Sequence, residues 1–266
     1  MTSPLFEVEN VAYRYERVTA LDGVSLSIPA GQRVALLGAN GSGKSTLLRL
    51  LDGLHFPVSG TVRFCGEPLD ENRFQQEAFA FDFRRRVGMV FQNPDVQLFN
   101  PSVFDELAFG PLQLRWPRED IRRRVAAVLD ELQIAHLKDR PPHRLSGGEK
   151  KRVAIASVLI LDPQVLLLDE PTGALDPQSQ SHTIDLLASW ENSGKTIVAA
   201  THDLDSVEEI ADQCFVFQAG RVVASGPPAT VLADLDLLKR TGLLHAHTHA
   251  HPPGEVHSHP HRHHTP

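Results

Sequence analysis

Eight consecutive residues, Gly38-Ala39-Asn40-Gly41-Ser42-Gly43-Lys44-Ser45, followed by Thr46, carry the spacing G-x-x-x-x-G-K-[ST]. This pattern suits the gripping of a polyphosphate. The glycines let the backbone curl until its N–H groups converge on phosphate oxygens. A helix starting at the lysine adds a partial positive charge. Lys44 is placed to reach the β- and γ-phosphates, and Ser45 to hold Mg²⁺. A plain glycine-rich turn would not need the full spacing, nor its setting between an apolar strand and a helix.

Two acids end another apolar run, Val165-Leu166-Leu167-Leu168-Asp169-Glu170. Ligands collect at the carboxyl ends of strands in parallel sheets. Asp169 is suited to orient a metal ion, directly or through water, and Glu170 to polarise an attacking water. Alone, the pair would read as a solvated acidic loop; with the phosphate loop upstream it reads as hydrolytic. In Leu145-Ser146-Gly147-Gly148-Glu149, Ser146 and Glu149 have capping-box spacing ahead of a helix over Lys150–Leu161. A cap accounts for the serine and the glutamate. It does not account for two adjacent glycines, which weaken a helix. A phosphate approaching uncovered N–H groups does.

With these motifs in this order, the sequence resembles the ABC ATPase family over roughly Leu5 to Leu232. The family signature Leu-Ser-Gly-Gly-Gln is matched except at Glu149. The resemblance implies an α/β fold: a P-loop NTPase core with a mostly parallel sheet, an antiparallel β subdomain and a helical insert. It implies ATP and Mg²⁺ as cofactors, with Ser45, Asp169 and Gln92 toward the metal. It also implies a second ATPase subunit in a head-to-tail dimer, homomeric or heteromeric. There Ser146, Gly147 and Gly148 of one copy close on ATP held by the loop of the other. Glu170, His202, Lys44 and Gln92 take the catalytic roles, His202 at the γ-phosphate and Gln92 at the Mg²⁺ and the water. Tyr15 stands where the family stacks an aromatic on adenine; a core tyrosine is the plainer reading of a lone aromatic. Ala174-Leu175-Asp176 matches the loop that crosses the dimer interface, with Gly173 where the family usually has serine.

Val90-Phe91-Gln92-Asn93-Pro94-Asp95-Val96-Gln97-Leu98-Phe99 is similar to the energy-coupling-factor branch, which serves vitamin and transition-metal importers. That implies a transmembrane coupling subunit, a substrate-binding membrane protein reached through the complex, and a peripheral place on the cytoplasmic side of the membrane. The coupling partner's helix is expected in the groove between the core sheet and the helical insert, near Gln92. His245, His247, His249, His251, His257, His259, His261, His263 and His264 put nine imidazoles in the last 22 residues. Imidazole suits nickel, cobalt, copper and zinc. Joined to the resemblance, the tail points to nickel or cobalt import, and the Irving–Williams order leans it to nickel. The alternatives are an importer of vitamins or other small molecules, a soluble ABC ATPase outside transport, and a metal-storage protein with a nucleotide switch. No Asn-Lys-x-Asp motif for reading guanine is present.

The elements that must position these groups are legible in outline. Phe6 and Val8, then Val24, Leu26 and Ile28, alternate with polar residues as strands do. Arg33–Leu37 reads as a strand into the phosphate loop, with a helix from about Gly43 to Leu54 and a strand over Thr61–Cys65. Val87–Phe91, Val165–Leu168 and Thr196–Ala200 are continuous apolar runs, the pattern of a parallel sheet covered on both faces. Ile121, Val125, Val128, Leu129 and Leu132 fall at helical spacing, with arginines opposite. Val216-Phe217 and Val222-Val223 suggest a hairpin around Ala219-Gly220. The division expected is an ATP-binding core over 1–92 and 162–235, a helical subdomain over 93–161, and a C-terminal segment over 236–266 ending in a disordered histidine-rich tail.

The chain has 266 residues, enough for a real core, and a formal charge of −7, which offers nucleic acid no general basic field. Cys65 and Cys214 show no metal spacing and no disulfide framework, which fits a reduced compartment. Met1–Asn10 lacks the pattern of a secretory signal. The longest apolar run, Val153–Leu161, falls short of the roughly 18 residues of a membrane helix, so if the protein works at a membrane, other subunits must do the crossing.

Overall fold

Phe6–Tyr15 (β1) and Val18–Ile28 (β2) pair antiparallel, with Phe6 opposite Ile28 and Val8 opposite Leu26. The alternation predicted from sequence is what buries Phe6, Val8, Val24, Leu26 and Ile28 on one face. This is a computed structural model that describes the backbone of residues 4–251 and 255–262, and side chains through residue 244. Its chain forms two compact units, Met1–Asp70 with Ala199–Pro266, and Glu71–Val198. In the first unit, Arg33–Leu37 (β3) is buried at every position and leads to Lys44–Leu51 (α1). The helix stops short of the predicted Leu54 because Asp52 caps it and Gly53 follows at φ 67°. Ser59–Phe64 (β4) and Glu67–Pro68 (β5) complete an antiparallel sheet of order β2-β1-β4-β5. Phe6 packs on Phe64 within it, ring centroids 4.9 Å apart.

The second unit opens with Glu71–Phe74 (α2) and Glu77–Arg86 (α3), in a stretch where the apolar pattern marked no element. Phe74, Phe79 and Phe83 hold the two together, and Arg84, Arg85 and Arg86 suit the negative end of α3. Val87–Val90 (β6) runs parallel to Val165–Asp169 (β7) further along the chain. Between them lie Val103–Gln113 (α4), Arg118–Glu131 (α5) and Gly147–Leu159 (α6). The expected helical stripe is realised in α5 and just beyond it: Ile121, Val125, Val128, Leu129 and Leu132 are buried. Arg124 does not face water with its neighbours; it donates to Leu159 O and Ile160 O at the end of α6, at 3.2 and 3.3 Å. Val165–Asp169 (β7) pairs with β6 as Met89 opposite Leu167. Pro177–Ser189 (α7) follows, and Thr196–Thr201 (β8) carries the chain back into the first unit.

There Val207–Ile210 (α8) precedes Gln213–Gln218 (β9), which lies parallel to β3 with Leu36 opposite Phe215. Arg221–Gly226 (β10) returns antiparallel across Ala219 and Gly220, both at positive φ, as the hairpin pattern predicted. Arg33 fixes the start of β3 against β9. Its Nε and Nη2 donate to Asp212 Oδ1 at 3.2 and 2.7 Å, its Nη1 to Glu209 O at 3.0 Å, and its own N–H to Asp212 Oδ2 at 3.0 Å. Pro228–Ala233 (α9) and Leu235–Arg240 (α10) close the ordered core of this unit.

Beyond it, the backbone of Leu244–His251 (β11) pairs antiparallel with Glu255–Arg262 (β12), where composition led us to expect a disordered tail. Histidine alternating with Ala, Thr, Val or Ser has the period of a strand, which composition alone does not register. The side chains of His245, His247, His249, His251, His257, His259, His261, His263 and His264, the candidate transition-metal ligands, lie outside the described residues. Among the described residues no helix is long and apolar enough to cross a membrane.

Candidate functional site

In the first unit, β3 delivers the chain into Gly38 and α1 takes it up at Lys44. Gly43 stands before the helix at φ 111°, and a Cβ there would come within 2.6 Å of Ala20 O. No other residue fits that backbone without displacing β2. The start of α1 receives no side-chain cap. Lys44 is 5% exposed and donates from Nζ to Gly38 O at 2.6 Å and Ala39 O at 3.3 Å, so the loop folds around its ammonium. Ser42 Oγ is buried without a hydrogen-bond partner, a cost that a bound oxygen would remove. A buried cation, an orphan hydroxyl and an uncapped helix start fit a polyphosphate. Ala39 and Ser45 are half-buried, Thr46 is buried, and Asn40 and Gly41 form the exposed rim.

Tyr15, also in this unit, is half-buried rather than in the core. Its ring meets Tyr13 edge-on at 4.9 Å and His55 at 5.6 Å, and its hydroxyl accepts from Arg49 at 3.0 Å. Burial, then the Arg49 charge, holds the His55 imidazole below its ordinary value, so the imidazole stays neutral near pH 7 beside the charged Arg49. Arg49 and His55 were not singled out by sequence reasoning. His202 is half-buried and directly follows β8.

The second unit holds the remaining groups. Asp169 ends β7 and Glu170 follows it, 3% and 4% exposed. Glu170 sits at φ 46°, a left-handed conformation that costs a non-glycine residue about 1–2 kcal/mol. Gly173 N donates back to Glu170 O at 3.2 Å, closing the turn. A Cβ at Gly173 would crowd Glu170 Cβ at 3.2 Å, which gives a local reason for glycine in place of the usual serine. A cleft of about 320 Å³ gathers Gln92, Gly147, Gly173 and Ala174 along its walls.

Ser146 and Glu149 form the predicted capping box: Ser146 N donates to Glu149 Oε2 at 2.7 Å, and Glu149 N to Ser146 Oγ at 3.3 Å. The Ser146 N–H holds the Glu149 carboxyl below the usual carboxylate range. The two glycines differ in their reasons. Gly147 is exposed with room for a side chain. Gly148 is buried, and a Cβ there would strike Ser179 Oγ at 2.1 Å. Packing against α7 therefore requires Gly148 without any phosphate, which narrows the sequence argument to Gly147. Asp176 is the N-cap of α7, accepting from Ser179 N at 3.0 Å and Ser179 Oγ at 2.7 Å.

The residue that sequence reasoning missed here is Lys151. It is 1% exposed and donates from Nζ to Phe91 O, Gln92 O and Asp169 O at 3.1, 3.2 and 3.4 Å. Burial lowers its pKa to about 8, opposed by the Asp169 and Glu170 carboxylates. A signal existed: Lys151 is three residues from Gly148 and Ala154 and four from Ile155, all buried, so helical spacing places it on the buried face of α6.

A family model described as "ABC transporter" matches residues 21–173. The nickel import ATP-binding protein NikO of Rhodobacter capsulatus is 60% identical over 245 residues, covering 91% of this chain and 96% of that protein. The energy-coupling factor transporter ATP-binding protein EcfA3 of Clostridium perfringens is 42% identical over 245 residues, covering 91% and 85%. Among solved structures, CbiO1 from Clostridium perfringens, part of the ABC transporter complex CbiONQ, superposes with a TM-score of 0.77 at 41% identity, covering 91% of this chain and 95% of that one. The motifs, the mixed sheet with its antiparallel companion and these likenesses agree: the chain belongs to the ABC transporter family, as an ATP-hydrolysing subunit of the energy-coupling-factor type.

Proposed function

We propose that this chain drives the uptake of a transition metal ion, nickel or cobalt with a lean to nickel, from the cytoplasmic face of the membrane. The observation that carries the substrate class is the 60% identity, across nearly the whole of both chains, with the nickel import ATP-binding protein NikO. A transmembrane coupling subunit crosses the bilayer in this reading, and a substrate-binding membrane protein joins through it.

The chain's own residues divide the labour. The loop from Gly38 to Thr46 grips the triphosphate, with Lys44 toward its outer phosphates. Ser45 and Asp169, with help from Gln92, are the residues that would hold Mg²⁺, as an all-oxygen donor set that suits a hard cation. When bound, it offsets the charge of the β- and γ-phosphates. Tyr15 offers its ring to adenine. Glu170 accepts a proton from the attacking water, and His202 and Lys44 steady the charge that spreads over the departing phosphoryl group. The exposed start of α6, with Ser146 and Gly147, closes on the nucleotide of a second ATPase subunit, and the Ala174–Asp176 turn meets that subunit. Closure moves the helical segment and the membrane partner with it.

The test is transport by the reconstituted complex with labelled nickel or cobalt. ATP-dependent accumulation of either supports the reading, and accumulation of a vitamin alone overturns the substrate. Glu170→Gln should bind ATP, turn over at least about 100-fold more slowly, and accumulate as a dimer in size-exclusion chromatography. Turnover near that of the parent would remove Glu170 from the role of base.

A further inference from the structure

We propose that Lys151 is a positioning residue for hydrolysis, reaching from α6 to hold the carboxyl ends of β6 and β7 so that Gln92 and Glu170 keep one mutual arrangement. It takes the ATPase reading of Glu170 and Gln92 as given.

Lys151 Nζ donates to carbonyls from two separate stretches of chain: Phe91 O and Gln92 O just after β6, and Asp169 O at the last residue of β7. Each carbonyl belongs to, or immediately precedes, a residue with a proposed role at the nucleotide. Its charge also faces the Asp169 and Glu170 carboxylates. An ammonium that is 1% exposed is expensive to bury, and an apolar side chain of similar length would fill the space without that cost. What the amine supplies, and an apolar chain cannot, is three directed bonds from one point. Glu170 needs such support, since its own backbone is held at φ 46°.

A second set of contacts fastens the same loop to the same helix. Gln97 accepts from Phe91 N at 3.2 Å and donates from Nε2 to Ala154 O at 2.9 Å and Ser157 Oγ at 3.1 Å. Asp95 pairs with Lys150 at 2.7 Å. The segment from Phe91 to Gln97 thus travels with α6, the helix that begins at Ser146. Lys151 joins this set to β7 as well, through Asp169 O. Movement of the signature helix is thereby coupled through one amine to the end of β7 as well as to the loop that carries the glutamine.

The experiment uses the full-length chain in its transporter complex and compares Lys151→Met, Lys151→Gln and Lys151→Arg with the parent and with Glu170→Gln. Lys151→Met should lower kcat by about 100-fold, the cost of misplacing reacting groups by an ångström. KM for ATP and the affinity for a non-hydrolysable analogue should stay within about twofold. Lys151→Gln, which keeps an N–H donor, should recover part of kcat. Unchanged kcat in Lys151→Met overturns the proposal. So does a loss of kcat and nucleotide affinity together with a lowered melting temperature, the mark of a merely structural residue. If Lys151→Met does not fold, the split in Lys151→Gln and Lys151→Arg decides by the same criteria. Should Glu170→Gln hydrolyse ATP like the parent, it is the assignment of the base that fails, independently of the Lys151 series.

Discussion

Glu149 occupies the place where the family signature has glutamine, and the structure shows what the exchange changes. Either side chain can accept from Ser146 N, but only the glutamate titrates. Its folded pKa is depressed, chiefly by that N–H. A depressed carboxylate contributes stability above its unfolded value, and the contribution is lost as pH falls through the folded one. The start of α6 should therefore loosen below about pH 4. Glu149→Gln should flatten that part of the pH dependence and lose the carboxylate's contribution at pH 7. Thermal melts between pH 3 and 7 on the two proteins would show it, and parallel curves would count against it. At this scale the sequence was readable wherever a motif fixes both residue type and spacing: Gly38–Ser45, Asp169-Glu170 and the Ser146–Glu149 box all stand where their spacing put them. Lys151 was not read because a lysine is ordinarily taken for a solvated residue, and its burial is visible only when its helical neighbours are counted.

At the scale of elements, the continuous apolar runs identified β3, β7 and β8 because strands buried on both faces leave no polar alternation to misread. The pair α2 and α3 escaped, since a cluster of phenylalanines with a run of arginines has weak periodicity and its helices are short. Arg33 is a second element-level case. It lies in a strand otherwise apolar, and its four hydrogen bonds tie β3 to the turn before β9. Arg33→Met removes the three that its guanidinium makes and leaves Asp212 without its charged partner. The loss should be about 2–4 kcal/mol in a denaturant titration. A change below about 0.5 kcal/mol would place the pair with ordinary surface ion pairs.

For the molecule as a whole, the histidine-rich C-terminal hairpin is where composition and backbone part company. Composition predicts an unstructured tail, while the alternation of histidine over His245–His251 and His257–His261 goes with two paired strands. Removing Leu244–Pro266 should leave ATP-driven uptake largely intact at saturating metal, because every residue assigned to the nucleotide lies upstream. Transport assays on the truncated complex would test this, and abolished uptake would favour the storage reading of the tail. The division into two units also follows chemistry more than chain order. One carries the phosphate loop, and the other carries the acids, the glutamine and the signature.

The two glycines of the signature have different futures under mutation. Because Gly148 is wedged against Ser179, its replacement is closed off by packing alone, so a descendant that had lost all catalysis would still retain it. Gly147 has no such internal guard. A survey of degenerate family members for vanished activity should therefore look for drift at the first glycine and treat survival of the second as uninformative.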